Sequence, residues 1–153
     1  MMYFLDFDRT LFDTESFIVS MQSRLAAPDN LSFAPGELSP FIYPDVPEFL
    51  RALGNEAVIV THGNPVFQRM KVESALTGIP RVSVIYVDQE PKGPRVARRL
   101  AGSGVPALFA DDTPLELASV ETCCPNIRLF EMRRDGSIGD GRWPVIRSLF
   151  ELP

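Results

Sequence analysis

The sequence predicts an α/β protein: a doubly wound, parallel sheet of about five strands between two layers of helices, a three-layer Rossmann-like arrangement. Three observations predict it. Short β-rich runs alternate with helical patterns along the whole chain. The runs are apolar almost throughout rather than at every second residue, as strands covered on both faces require. The helical patterns carry start and stop signals at their ends.

Taken in order, residues 2–7 (MYFLDF) form the first predicted strand. Residues 15–26 follow as a helix, with Phe17, Ile18, Met21 and Leu25 at helical spacing. Residues 27–43 (APDNLSFAPGELSPFIY) break the rhythm, being rich in Pro, Gly and Ser yet keeping Leu31, Phe33, Phe41 and Ile42. A structureless connection of that length is unusual in a compact domain. Residues 15–43 are therefore read as a short cap-like insertion over the carboxyl end of the first strand. The helix over 46–53 opens on Asp45 as N-cap with Pro47 in its first turn, and Gly54 stops it. After a strand over 57–61, the helix over 64–76 has Asn64 as N-cap, Pro65 at the first position and Gly78 as its stop. Residues 82–87 are the third strand, and 93–100 a basic amphipathic helix ending near Gly102. A strand over 107–110, a short helix over 114–120, a strand over 127–131 and a helix over 144–152 complete the chain.

The 153 residues suit one domain, and 45% hydrophobic with 23% charged residues is ordinary globular composition. The net charge of −5 argues against a dedicated nucleic-acid binder, although Arg95, Arg98 and Arg99 leave a local patch for an anionic partner open. No run approaches the roughly 20 apolar residues of a membrane span. The apolar run before Asp6 is too short for a secretory h-region, so a cytoplasmic protein is expected. Cys123 and Cys124 are adjacent, which gives neither a disulfide framework nor a zinc pattern. With His62 as the one histidine, a His-rich metal centre is excluded.

Ligands of doubly wound sheets bind outside the carboxyl ends of the strands, where the strand order reverses. The polar residues collect there. Asp6 and Asp8 close the first strand and, two residues apart, project to the same side. Thr61 ends the second and leads into His62, Lys92 follows the third, and Asp111 and Asp112 end the fourth. Singly, each has a plainer reading as a turn, cap or solvated residue. Together, four carboxylates on one edge would push one another's pKa upward, and a hard cation resolves the conflict. Mg²⁺ takes oxygen ligands, keeps waters, and uses one or two carboxylates plus substrate phosphate.

In this order and spacing the sequence resembles the haloacid dehalogenase superfamily of phosphohydrolases. The resemblance rests on "DFDRT" (Asp6, Asp8, Thr10), "VIVTHG" (Thr61), "EPKG" (Lys92) and "LFADDTP" (Asp111, Asp112). It implies a Mg²⁺-dependent phosphatase in which Asp6 is the nucleophile, forming an aspartyl-phosphate, and Asp8 the general acid and base. Asp6, the Asp8 carbonyl, Asp112 and, partly through water, Asp111 would hold Mg²⁺. Thr61, His62 and Lys92 would bind the phosphoryl group of a phosphorylated substrate. Arg9 departs from the pattern, since glycine is common there, and the insertion is too short for a large cap. The rival expectation is a catalytically idle domain of the same fold with a binding or regulatory role. A receiver domain fits less well, because its acidic pair follows the first strand. No G-x-x-x-x-G-K-[ST] loop occurs.

Overall fold

In the computed structural model, which describes residues 1–27, 29, 31–79 and 82–153, six strands pair side by side and every pairing is parallel. They are β1 (Met2–Leu5), β2 (Ala57–His62), β3 (Ser83–Val87), β4 (Ala107–Asp111), β5 (Arg128–Met132) and β6 (Val145–Ile146), in the order β3-β2-β1-β4-β5-β6. The helices are α1 (Thr14–Leu25), α2 (Val46–Leu53), α3 (Pro65–Ala75), α4 (Lys92–Leu100) and α5 (Pro114–Cys123). The chain winds outward one way from β1 to β3, then crosses back and winds the other way from β4. The reversal falls between β1 and β4, so the crevice opens at their carboxyl ends.

Period-two alternation of the strands feeds two cores. Phe4, Val58, Val60 and Phe109 face one side, where Val96 of α4 and Leu117 and Val120 of α5 cover them. Leu5, Ile59, Leu108 and Met132 face the other, under Phe17 of α1, Leu50 of α2 and Val72 of α3. Phe4 and Leu5 are both completely buried, and such side chains each contribute roughly 1.5–3 kcal/mol by leaving water.

The chain's end differs from expectation. Residues 144–152 do not form a helix: Val145–Ile146 add a sixth strand to β5, and Leu149–Glu151 make a single 3-10 turn. The Glu131 amide donates to Pro144 O at 2.9 Å and the Arg133 amide to Ile146 O at 2.8 Å, so β5 captures this stretch. The Ser148–Glu151 capping box then closes only that one turn. Asp45 stands at the N-cap of α2 but does not cap it with its side chain. Its Oδ2 instead accepts from Arg134, Ser148 and the Leu149 amide, tying α2 to the chain's end. β1 stops at Leu5, one residue before Asp6.

The described residues of 15–43 pack against the rest of the chain. Phe12 and Ile42 form an antiparallel bridge, Asp13 N–H donates to Phe41 O at 2.7 Å, and Gly36 N–H donates to Ser74 O of α3 at 3.0 Å. Phe17 meets Phe12, Phe33 and Phe41 edge-on, with centroids 5.2–5.9 Å apart. Pro28 and Asn30 of this insertion lie outside the described residues. Among the described residues, no helix is long and apolar enough to cross a membrane.

One glycine decides how α4 meets α5. A Cβ at Gly93 would lie 2.3 Å from the carbonyl oxygen of Ser119, so only glycine lets the start of α4 approach. Gly93→Ala is expected to destabilise the fold by about 1–3 kcal/mol, the usual cost of overpacking, as read from urea denaturation. An unchanged midpoint would mean that this contact does not set the spacing.

Candidate active site

Asp6 is placed by backbone. Its N–H donates to Ala110 O at 2.9 Å, continuing the β1–β4 ladder one residue beyond β1 and turning its side chain into the crevice. Lys92, the first residue of α4, reaches in from the neighbouring crossover. Its Nζ lies 2.5 Å from Asp6 Oδ1 and 2.7 Å from Asp111 Oδ2, and the residue is 2% exposed. Glu116 of α5 holds that placement from behind: its Oε2 accepts the Lys92 backbone N–H at 2.8 Å, and its Oε1 lies 3.1 Å from His62 Nδ1.

Two carboxylates thus bond one ammonium, and a third, that of Asp112, lies close by. Burial pushes Asp6 up to about 7, against the pull of Lys92. Asp112 is raised to about 6 by burial and then by the charge of Asp6. Asp111 is also raised by burial, although Lys92 opposes it. Burial works against the charge on Lys92, but Asp111 and Asp6 outweigh it and hold the ammonium above its ordinary range. The cluster is short of positive charge.

Its donor atoms suit a hard cation. Asp6 Oδ2 is buried with no hydrogen-bond partner. One oxygen each from Asp6, Asp111 and Asp112 lie within 4.8 Å of one another. Both Asp111 oxygens are engaged, Oδ1 by the Thr113 amide at 2.8 Å and Oδ2 by Lys92, whereas Asp112 spends Oδ1 on the Thr113 hydroxyl at 3.1 Å. Asp6 and Asp112 therefore each keep an oxygen to offer a metal directly. An oxygen-only set of this kind is what Mg²⁺ requires.

Asp6, Asp8, His62, Lys92 and Asp112 line one cavity of about 150 Å³. Asp111 and Thr61 are fully buried behind it. The Thr61 hydroxyl lies 3.2 Å from Gln68 Oε1 rather than facing the cavity. Both ring nitrogens of His62 are occupied, Nε2 sitting 2.7 Å from Asp88 O and Nδ1 beside Glu116. Arg9 adopts a left-handed backbone (φ 62°), a conformation costing a non-glycine residue roughly 1–2 kcal/mol. Its exposed guanidinium pairs with Glu15 at 2.7 Å, at the rim shared with a second cavity lined by Tyr43, Arg133 and Arg134. Arg95 and Arg98 both pair with Glu90, away from this crevice.

Sequence reasoning missed four contributors: Glu116, Thr14, Gln68 and Lys71. The last three hold Asp8. Its Oδ1 accepts from Thr14 Oγ1 at 2.7 Å and Lys71 Nζ at 2.5 Å, and its Oδ2 from Gln68 Nε2 at 3.2 Å. A signal existed for two of them. Gln68, Lys71, Val72 and Ala75 share one helical stripe, and two polar residues on a core-facing stripe need a buried partner.

Family models give no match to this sequence, and neither do the curated proteins. Solved structures do. A protein from Burkholderia xenovorans LB400 named as a haloacid dehalogenase-like hydrolase superposes with TM-score 0.68 at 15% identity, covering 96% of this chain and 92% of its own. The UTR4 protein of Saccharomyces cerevisiae gives 0.62 at 14% identity, covering 98% of both chains. A haloacid dehalogenase-like family hydrolase from Xanthomonas campestris gives 0.57 at 14%, covering 95% of this chain and 88% of its own. The chain thus has the haloacid dehalogenase-like fold over nearly its full length.

The raised pKa of Asp112 makes a signed prediction. Below its ordinary value of 3.8 the group is protonated whether the chain is folded or not, so it carries no penalty. As pH rises toward about 6 the unfolded chain ionises freely while the folded one resists, and stability is lost. In chelator, Asp112→Asn is expected to gain on the wild type between pH 4 and 6, by on the order of 1–2 kcal/mol after solvent screening. A difference in melting temperature that stays constant with pH would contradict it.

Proposed function

We propose that this chain, built on a haloacid dehalogenase-like fold, is a Mg²⁺-dependent phosphatase, a phosphoric monoester hydrolase working through an aspartyl-phosphate on Asp6. The observation that carries the reading is the state of Asp6: buried, with one oxygen on Lys92 and the other without a partner, in a cavity it shares with Asp8 and Asp112. The names of two structural neighbours, both hydrolases, agree with it.

Asp6, the backbone carbonyl of Asp8 and Asp112 would hold the ion, with Asp111 contributing partly through water. When bound, Mg²⁺ supplies positive charge to the phosphoryl oxygens and to the carboxylates around it. The remaining work falls to side chains. Burial raises Asp6 to about 7 even with Lys92 beside it, so the added positive charge of a bound cation would be what favours the ionised nucleophile. Asp6 attacks phosphorus in line, and Lys92 draws charge from the equatorial oxygens as the ester bond breaks. Asp8 gives its proton to the leaving oxygen. It then takes one from the water that attacks the aspartyl-phosphate, releasing phosphate and restoring Asp6. Thr61 would join the phosphoryl cradle with its hydroxyl swung away from Gln68, and His62 would meet the phosphoryl group at the rim once a ring nitrogen leaves Asp88 O or Glu116.

The site is small and open, and the substrate's organic part would rest against Arg9, Tyr43 and the insertion. This suits a phosphomonoester whose body stays outside the catalytic cavity.

Asp6→Asn is expected to lower Mg²⁺-dependent hydrolysis of 4-nitrophenyl phosphate by on the order of 10³-fold or more, while melting at the same temperature or higher in chelator. Lys92 keeps Asp111, and one like-charge repulsion is gone. Millimolar Mg²⁺ should raise the melting temperature of the wild type and leave this variant's unmoved. Retained turnover in the variant would show that the nucleophile lies elsewhere.

A further inference from the structure

Lys71 has no part in the reaction described so far, yet it is among the least exposed charged side chains in the protein. It projects from α3 with its side chain 3% exposed. Its Nζ sits 5.4–5.9 Å from the ring centroids of Phe7, Phe12, Phe17 and Phe67. Aromatic faces attract an ammonium but do not replace its water, so a hydrogen-bonding partner is still needed. Among the described residues that partner is Asp8 alone, at 2.5 Å. Stability does not account for the pair, because a buried ion pair is commonly no better than apolar side chains of the same volume. A methionine or leucine would fill the enclosure more simply. What the ammonium adds is a fixed point for one carboxylate, and that carboxylate lines the catalytic cavity.

Counting acceptor sites on Asp8 gives the consequence. Oδ1 receives two donors, Lys71 Nζ at 2.5 Å and Thr14 Oγ1 at 2.7 Å, which fill its in-plane lone pairs. Oδ2 receives one long hydrogen bond, 3.2 Å from Gln68 Nε2, and keeps a lone pair. Gln68 lies three residues before Lys71, on the same face of α3, and its Oε1 accepts from Thr61. One helix face therefore grips both oxygens of Asp8 and also touches Thr61, one residue before the end of β2.

We propose that Lys71 is a positioning residue for Asp8: by pinning Oδ1 it aims Oδ2 into the cavity and makes Oδ2 the oxygen that exchanges protons during turnover. The assignment rests on the phosphatase reading. In the first step the bond from Asp6 to phosphorus forms, the bond from phosphorus to the leaving oxygen breaks, and the proton on Oδ2 passes to that oxygen. In the second step water's oxygen bonds to phosphorus, its proton passes to Oδ2, and the Asp6–phosphorus bond breaks. No electrons are gained or lost, and Oδ2 ends each cycle protonated as it began.

The test is Lys71→Met, alone and combined with Asp8→Asn, assayed with Mg²⁺ on 4-nitrophenyl phosphate and on phenyl phosphate, whose leaving group needs a proton far more. A misaimed general acid shows as a change in leaving-group dependence. We expect kcat to fall at least about 10-fold further on phenyl phosphate than on 4-nitrophenyl phosphate, within the range attributable to acid catalysis, with KM changed less than about threefold. On the Asp8→Asn background Lys71→Met should cost less than about twofold more, since it acts through a group already removed. Equal losses on both substrates, or a full multiplicative loss in the double variant, would overturn the role. Melting temperatures check the pairing without turnover: Asp8→Asn should lower the melting temperature by stranding a buried ammonium, and adding Lys71→Met should restore it. Absence of that rescue would also overturn the role. A wild type that hydrolyses neither ester would overturn the phosphatase reading and this role with it. An active wild type with an indifferent Lys71→Met would overturn this role alone.

Discussion

One ammonium organises the crevice. Lys92 Nζ sits between Asp6 and Asp111 in a place where water cannot share the work. Remove it, and two buried carboxylates face each other across the β1–β4 seam with nothing to neutralise them. Its position is over-determined. The Lys92 backbone is tied to Glu116, and Gly93 lets the first turn of α4 press against the carbonyl of Ser119. The spacing of two helices on one side of the sheet thus fixes a charge at the sheet's edge. Yet one ammonium does not balance three acids, and the unsatisfied Asp6 Oδ2 marks where further positive charge belongs.

The opposite side of the sheet does parallel work for Asp8. There the turn after β1, helix α1 and α3 bring aromatic rings together around Lys71. Each acidic residue of the Asp-x-Asp pair consequently has its own buried lysine, one from each helical layer. The two aspartates sit two residues apart in sequence, but their surroundings differ. Asp6 is sealed in, whereas the Asp8 side chain is about one-quarter exposed (27%). Such a division suits the different parts proposed for the two carboxyl groups.

Much of this was legible in the sequence because the signals were local. Asn64 followed by Pro65 announced α3, and its side chain does accept from Val66 and Phe67. The apolar runs of β1, β2 and β4 announced strands buried on both faces. The polar residues at their ends fell together because parallel strands align their carboxyl ends. Illegible were features decided by distant partners. Residues 144–152 carry a helix-like pattern, but β5 offered unpaired backbone and took Val145–Ile146 as a strand. Asp45 resembled a cap until Arg134 and Ser148 claimed its carboxylate. Glu116 and Lys71 lie on helices where a charged residue ordinarily meets solvent, and only the tertiary fold shows that each is turned inward.

The central claim is that Asp6 and Asp112 converge on one divalent cation with Lys92 alongside. The most direct measurement is a crystal structure of the protein grown with Mg²⁺ and beryllium fluoride, a stand-in for an aspartyl-phosphate. The account predicts octahedral Mg²⁺ bonded to oxygens of Asp6 and Asp112, beryllium attached to Asp6, and a fluorine within hydrogen-bonding reach of Lys92 Nζ. Beryllium on another residue, or a cation bound away from both aspartates, would contradict it.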